Sequence, residues 1–178
     1  KGGIIKKDWL KFDEINETNK NNEFWFIDSA YGGSDADYNA ILKVIKKNNL
    51  LIIDKCYINK FEFPELINYL KNIIDRNAKV YIEGKASGKS IIQTLKQQSN
   101  FNIIELSVKS SKIERKHSVS PFFESGRIII NKYIDNKQDI INQLIFDNNK
   151  NDDILDTIMH AIETLLIKNN GNYSFSII

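Results

Sequence analysis

Hydrophobic residues in the first half of the chain form short continuous runs, a pattern typical of buried strands. The run EFWFIDSA (23–30) is aromatic and β-branched, and YNAILKVIKKN and LLIIDKCYIN follow it, separated by Asn48 and Asn49. Runs of this length bounded by turn residues favour strands over helices. Three strands joined by short turns predict an antiparallel meander.

The hydrophobic period changes after this meander. FPELINYLKNIIDRN carries apolar residues at helical spacing, with Pro64 suited to a first helical turn. KVYIE then predicts a strand, KSIIQTLKQQS a helix and NIIELSV a further strand. Strands that alternate with helices are expected to pair in parallel.

The rest of the chain is less regular until its final helices. Residues 109–126 are basic and predict only a short helix around VSPFFES that ends at Gly126. RIIINKYI predicts a hairpin or an edge strand. KQDIINQLIF and NDDILDTIMHAIETLLIKN predict two closing helices, and the tail NGNYSFSII carries no clear secondary-structure pattern.

The element order β-β-β-α-β-α-β followed by helices predicts an α/β fold. We expect a mixed sheet of three antiparallel strands extended by parallel strands and flanked by helices. That order is compatible with the ribonuclease-H-like fold. Residues 1–22 are polar and mixed, and predict a linker or docking arm before a single folded domain at 23–178. The chain starts at Lys1 rather than Met, so we expect it to be part of a longer polypeptide.

Composition narrows the candidate chemistry. A chain of 178 residues with 42% hydrophobic residues can bury a core, and it contains no apolar run long enough to span a bilayer. A single cysteine, Cys56, excludes an internal disulfide and any Cys-rich zinc site. With only His117 and His160 available, a metal site would need oxygen ligands, which favours Mg²⁺ or Mn²⁺ over Zn²⁺.

The net charge of +2 is too small to indicate a nucleic-acid partner, but basic residues crowd the middle of the chain. A patch that follows phosphates and a solvated lysine-rich surface both remain open. The residues concerned are Lys85, Lys89, Lys96, Lys109, Lys112, Arg115, Lys116, Arg127 and Lys132.

The stretch YIEGKASGKS (81–90) nearly matches the phosphate-binding loop G-x-x-x-x-G-K-[ST]. Counted back from Gly88, the first glycine of that motif falls on Glu83. The glycine that is present, Gly84, makes the loop one residue short. A carboxylate at the entrance would repel phosphate, so we expect no nucleotide loop here.

Two carboxylates end apolar strands, where ligand sites of open α/β sheets collect. Asp28 completes the first strand, and Glu83 completes KVYIE. Burying Asp28 is costly without a cation or strong donors, which favours a metal ligand there, whereas for Glu83 a metal ligand and an ion pair are equally open. As alternatives, Asp28 would cap the following turn, and Glu83 would pair with Lys85 or Lys89.

A third group of acids, in NDDILD, opens the last helix. Acids are ordinary in a first turn, so at least one of them, Asp152, is expected to cap the helix. Asp153 and Asp156 are three residues apart and share a helix face. His160 lies one turn further on, and we interpret it as a surface or partly packed histidine. Together, the strand-end and helix-start acids could hold two divalent cations about 4 Å apart.

Several stretches taken in order, from about Gly2 to Leu166, resemble the C-terminal nuclease domain of the large terminase subunit of tailed bacteriophages. FIDSAYGGSDADY is similar to the first acidic strand of that family, with Ser29 where proline is common. VYIEGKASGKSIIQTL is similar to its second acidic motif, and KIERKHSVSPFFESGRI to its basic stretch. NDDILDTIMHAI resembles its final acidic helix, with Asn151 where histidine is frequent and Thr157 where alanine is frequent.

The resemblance implies a metal-dependent endonuclease that cuts double-stranded viral DNA concatemers by a two-metal mechanism. Asp28, Glu83 and Asp153 would be the catalytic metal ligands. Further ligand candidates are Asp152, Asp156 and Asp37. The residues expected to contact DNA phosphates are Lys85, Lys89, Lys112, Arg115 and Arg127.

The same resemblance implies two Mg²⁺ or Mn²⁺ ions and partners beyond DNA. These partners are an upstream ATPase domain of the same polypeptide, the small terminase subunit and the portal protein, in the cytoplasm of a bacterial host. Many relatives carry a second acid directly after the strand-end acid, where this chain has Gly84. Two alternatives stay open: a junction resolvase or transposase-like nuclease of the same fold, and a non-catalytic module that grips DNA or docks on the motor.

Overall fold

The computed structural model describes residues 3–16, 20–30, 38–147 and 149–168. Seven strands in this part of the chain form one sheet: β1 Lys11–Asp13, β2 Glu23–Asp28, β3 Asn39–Lys47, β4 Leu50–Asn59, β5 Lys79–Glu83, β6 Asn102–Leu106 and β7 Ile128–Asn131. The helices are α1 Phe63–Ile73, α2 Ala86–Gln98, α3 Lys112–Glu124, α4 Lys137–Ile145 and α5 Asp153–Ile162, with a π-helical turn at Glu163–Ile167.

The sheet is mixed, with the strand order β1-β7-β4-β3-β2-β5-β6. β3 is antiparallel to both β2 and β4, which confirms the predicted meander. The pairs β2–β5, β5–β6, β4–β7 and β1–β7 are all parallel. Every strand except β3 therefore runs in the same direction, so their carboxyl ends lie along one edge of the sheet.

Helices cover both faces of the sheet, and each face has its own hydrophobic core. Successive side chains of β2 alternate between the faces. Phe26 packs into the core that contains the buried residues of α3, α4 and α5. Trp25 and Ile27 pack into the core shared with α1 and α2. The predicted α/β architecture with a mixed sheet and flanking helices is confirmed.

The strand β7 lies inside the sheet, between β1 and β4, so its expected place in a hairpin or at an edge is wrong. Its outer partner β1 comes from residues 11–13, within the segment predicted to be a linker or arm. Ile5, from the same segment, is fully buried in the α5-side core. The N-terminal segment thus packs on the domain and completes its sheet.

Helix α3 is longer than the short helix predicted around VSPFFES. It begins with a capping box in which the Ser111 hydroxyl accepts from the Glu114 N–H while the Glu114 carboxylate accepts from the Ser111 N–H. Its buried positions include Arg115 and Lys116 as well as Val119 and Phe123. Two buried cations interrupt the apolar period, which is why the sequence pattern did not indicate the whole helix.

The proline inside α3 leaves one carbonyl without its usual donor, because Pro121 has no N–H. The Ser120 hydroxyl donates to the His117 carbonyl oxygen at 3.0 Å instead. The helix ends at Glu124 with Ser125 as its C-cap, and the next residue, Gly126, has a φ of 73° that suits glycine. In the described part of the chain, no helix is both long and apolar enough to cross a membrane.

Candidate active site

The two strand-end carboxylates lie side by side. β2 and β5 are parallel neighbours in which Ile27 is opposite Ile82, so Asp28 and Glu83 follow at the same edge. Phe26 and Tyr81, two residues earlier on each strand, stack at 4.8 Å between ring centroids on the α5 face. The alternation of strand side chains therefore directs Asp28 and Glu83 to that same face.

The glycines after Glu83 serve packing. A Cβ at Gly88 would lie 1.9 Å from the Glu83 carbonyl oxygen, so no larger residue fits at the start of α2. The Ser87 hydroxyl donates to the Ser29 carbonyl oxygen at 2.8 Å. This bond connects the end of β2 to the start of α2 and keeps the two acidic strand ends together.

The Glu83 carboxylate has two partners of different character. Its Oε2 lies 3.3 Å from Nε2 of His160, and its Oε1 lies 2.7 Å from Nζ of Lys85. Burial by itself would raise the pKa of Glu83, but the hydrogen bonds from His160 and Lys85 outweigh it and lower the pKa to about 2. Glu83 is therefore ionised at neutral pH.

His160 is 4% exposed, so its interpretation as a surface or partly packed residue is wrong. It belongs to a polar stripe that starts at Asp153 of α5 and continues through Asp156 and His160 to Glu163 in the π-helical turn, at three, seven and ten residues after Asp153. Sequence reasoning did not single out Glu163, although this spacing could have indicated it. The stripe lies along the side of α5 that faces the acidic strand ends.

The electrostatics of Asp28 show that the acids converge. The pKa of Asp28 is raised to about 8. Burial is the largest cause and repulsion from Asp156, Asp153 and Glu83 comes next, while Lys85 acts in the opposite direction. Asp153 accepts a hydrogen bond from the Tyr38 N–H at 3.3 Å. Four carboxylates from β2, β5 and α5 thus act on one another at one edge of the sheet.

The first turn of α3 brings cations against this acidic group. Lys112 pairs with Asp152 and lies 3.2 Å from Asp156, and Arg115 Nη1 lies 3.6 Å from Asp156. Burial raises the pKa of Asp156, with partial compensation from Lys112. Asp152 occupies the N-cap of α5, but its side chain makes no capping hydrogen bond, so the expected capping role is wrong. Its carboxylate is engaged by Lys112.

The other residues expected to contact DNA are spread over two edges. Lys89 is exposed in the first turn of α2, at the acidic edge. Arg127 precedes β7, and its Nε donates to the Asn49 carbonyl oxygen in the β3–β4 turn. That turn lies at the opposite edge of the sheet, one strand length or about 20 Å from the acids. Asp37 lies outside the described residues.

A cavity of about 310 Å³ opens beside Asp153, with Tyr38, Asn142 and Asn151 among its lining residues. Oδ1 of Asn151, which lines the cavity, is buried and accepts no hydrogen bond from described residues, and neither does the buried Oδ1 of Asp156 on α5. In the part of the chain that the structure describes, no group of three or more acids, histidines or cysteines is close enough to hold a metal ion. The acids lie near one another without forming a closed ligand cage.

The comparison with known families matches residues 26–165 to the Terminase RNaseH-like domain. This range contains both acidic strand ends and the acidic stripe of α5. The chain belongs to this family. No curated protein sequence matches the chain.

Solved structures of terminase nuclease domains have the same fold as this chain. The large terminase nuclease domain of phage P22 aligns with a TM-score of 0.69 at 10% identity, over 94% of this chain and 92% of that one. The nuclease domain of human cytomegalovirus terminase, soaked with Mn, aligns at 0.63 and 13% identity, over 92% and 95%. The zinc-bound nuclease of the large terminase from thermophilic phage G20c aligns at 0.61 and 17%, over 88% and 94%.

The chain spans less than half the length of a complete large terminase to which it is similar. The chain covers 44% of the large terminase of another thermophilic bacteriophage, with a TM-score of 0.64 at 14% identity. At identities this low, the structural alignments show a shared ribonuclease-H-like fold and no more. What the chain does with that fold depends on its own residues.

Proposed function

We propose that this terminase domain is a metal-dependent endonuclease that cuts double-stranded viral DNA concatemers during genome packaging. The observation that carries the proposal is the convergence of Asp28, Glu83, Asp153 and Asp156 at one sheet edge. Burial raises the pKa of Asp28 to about 8, and repulsion from the other three carboxylates adds to that increase. Divalent cations would relieve that repulsion, which gives the arrangement a chemical purpose.

The donor chemistry fits hard divalent cations such as Mg²⁺ or Mn²⁺. All four candidate ligands offer carboxylate oxygens, which these ions prefer. The buried Oδ1 of Asp156 accepts no hydrogen bond from described residues, and the positive group that lies nearest to it in the ion pairs is Arg115 at 3.6 Å. The comparison structures include terminase nucleases described with bound zinc, bound magnesium and soaked Mn, which supports a divalent site here.

Three of the acids share one role in this proposal. Asp28, Glu83 and Asp153 would hold the metal ions, and Asp156 is the next candidate. Bound cations would supply a nucleophilic water and stabilise charge on the phosphate under attack. His160 fixes one oxygen of Glu83 from the buried side. The pairing with Lys112 makes Asp152 a weaker candidate ligand than Asp153.

DNA contacts are proposed for the cations at the acidic edge, namely Lys85, Lys89, Lys112 and Arg115. Contacts of this kind position a duplex through its phosphates without reading its sequence. By membership of the terminase family, we propose an upstream ATPase domain, the small terminase subunit and the portal protein as partners. The cytoplasm of a bacterial host is the proposed setting.

The test is plasmid cleavage with Mn²⁺ or Mg²⁺, comparing the unaltered domain with Asp28→Asn, Glu83→Gln and Asp153→Asn. We expect each substitution to lower the cleavage rate by at least about 100-fold, since weaker effects of about 10–100-fold are typical for residues that only support metal ligands. Asp75→Asn, in the connection between α1 and β5, is the matched control and should retain cleavage. Undiminished cleavage by the Asp28 and Glu83 variants would remove those residues from the site.

A non-catalytic DNA-gripping module is the second candidate, because Glu83 already has two partners and no closed metal cage is present among the described residues. Duplex binding without cleavage in any divalent metal would favour that candidate. A strong preference for branched over linear duplex would instead favour a junction resolvase or transposase-like activity.

A further inference from the structure

Glu83 is held by one buried partner and one exposed partner. His160 approaches Oε2 from α5, with 5% of its side chain exposed. Lys85 approaches Oε1 from the connection between β5 and α2, with 74% of its side chain exposed. The histidine is fixed by the core around it. The lysine can leave, because its ammonium group would regain water as it moves away.

The free energies favour an exchange at Oε1. Because Lys85 is 74% exposed, solvent screens its attraction to the largely buried Glu83, and ordering its long side chain costs rotamer freedom. A divalent cation at the same oxygen would carry twice the charge. It would also interact with the other converging carboxylates, Asp28 among them. Lys85 is therefore the weaker of two possible cations at this position.

We propose that Lys85 is an exchangeable counter-ion that occupies Oε1 of Glu83 and competes with a divalent cation for that oxygen. This inference rests on the proposed function, because it requires Glu83 to be a metal ligand. It assigns Lys85 a role at the metal site that differs from a DNA contact. It also explains why the acids lie close together without a closed cage, since one of the oxygens is held by the lysine.

The lysine next in the sequence provides a matched comparison. Lys89 lies four residues further on, in the first turn of α2, and is exposed. It makes no ion pair within 3–16, 20–30, 38–147 and 149–168. Loss of Lys89 changes the net charge near the site by the same amount as loss of Lys85, without freeing Oε1.

The experiment is calorimetric titration of the domain with Mn²⁺ in the absence of DNA. We expect Lys85→Gln and Lys85→Ala to lower the dissociation constant for Mn²⁺ by about 3- to 5-fold, because a competing, solvent-screened ion pair is removed. Lys85→Arg restores a cation at the same place and should bind Mn²⁺ within about twofold of the unaltered domain. The dissociation constant of Lys89→Gln for Mn²⁺ should also stay within about twofold of that of the unaltered domain.

The outcomes separate this inference from the proposed function. If the unaltered domain binds Mn²⁺ and cuts DNA while both Lys85 variants bind no more tightly, Lys85 does not compete and only the inference fails. An equal gain in affinity for Lys89→Gln would reduce the effect to net charge and would also overturn it. If the unaltered domain binds no Mn²⁺ and cuts no DNA, both proposals fail. Thermal melting shows whether the variants are folded. If Lys85→Gln is not folded, the titration of Lys85→Ala provides the same test.

Discussion

At the scale of single residues, the site depends on how each carboxylate is compensated. Glu83 has two donors and a pKa of about 2, whereas Asp28 faces three other acids and has a pKa of about 8. The two residues occupy equivalent places at the ends of neighbouring strands. Their opposite shifts come from their partners, because His160 and Lys85 reach Glu83 while Asp28 is affected chiefly by burial and repulsion.

Asp28 makes the stability of the metal-free domain depend on pH. The ordinary pKa of 3.8 is raised to about 8 by folding. Between these two pH values the folded chain keeps a proton on Asp28 that the unfolded chain has released, so the free energy of unfolding from this group falls as pH rises. Below pH 3.8 Asp28 is protonated in both the folded and the unfolded state, so it no longer lowers the free energy of unfolding.

We therefore expect Asp28→Asn to be more stable than the unaltered domain at pH 8 in a chelating buffer, by about 2–4 kcal/mol after a discount for partial solvent screening. At pH 4 the two proteins should unfold at nearly the same denaturant concentration. Urea titrations at both pH values measure the difference. A stability difference that is independent of pH would show that folding does not raise the pKa of Asp28.

At the scale of elements, helix α3 connects the site to the rest of the fold through buried cations. Arg115 Nε lies 2.8 Å from Glu163 of the π-helical turn. Lys116, 3% exposed, lies 2.6 Å from the Asp147 carboxylate, which follows α4 and also accepts from the Ile4 N–H at 3.4 Å. These ion pairs join α3 to α4, to the end of α5 and to the N-terminal segment.

The pair between Lys116 and Asp147 should respond unequally to the loss of either partner. Asp147→Ala leaves a buried ammonium group without its carboxylate, and we expect a loss of about 1–3 kcal/mol, below the range for fully buried pairs because Asp147 is 43% exposed. Lys116→Met keeps the apolar stem and leaves only an accessible carboxylate, so its cost should stay within about 1 kcal/mol.

Chemical denaturation of both variants and of the double variant measures this asymmetry. Equal losses for the two single variants would mean that the lysine finds water or another acceptor when Asp147 is removed. In that case α3 would not depend on this pair.

At the scale of the whole molecule, the sheet divides the basic residues between two edges. Lys85, Lys89 and Lys112 lie at the edge that carries the acids, since they follow β5 or begin α3. Arg127 lies at the start of β7, at the opposite edge, and its guanidinium group stacks 4.7 Å from the Phe122 ring centroid. A duplex bound over the acids would meet the first group and miss Arg127.

This division predicts different effects on DNA binding. Lys89→Gln should weaken duplex binding and reduce the slope of log affinity against log salt by about one, as expected for one lost phosphate contact. Arg127→Gln should leave both the affinity and the slope unchanged. Fluorescence anisotropy over a salt series provides the measurement. A reduced slope for Arg127→Gln would place the duplex across the opposite edge.

The sequence by itself determined the elements whose hydrophobic pattern is simple, and it identified the candidate acids of the site. The strands of the meander, α1, α2 and the ends of β2 and β5 follow from apolar runs, and Asp28 and Glu83 stand out because a carboxylate ends each run. The full length of α3 was not predictable from its pattern, since buried cations replace apolar residues on its inner face. The burial of Ile5 and the position of β1 also escaped prediction, because short polar segments carry little periodic signal.

Only the tertiary structure decided which charges meet. His160 and Glu83 are 77 residues apart, and Lys112 and Asp152 are 40 apart. No local pattern connects them, because these contacts depend on how α5 and α3 cross the sheet. The position of Arg127 away from the acids has the same cause: strand direction, which the sequence of one strand does not encode, assigns each end of a strand to one edge of the sheet.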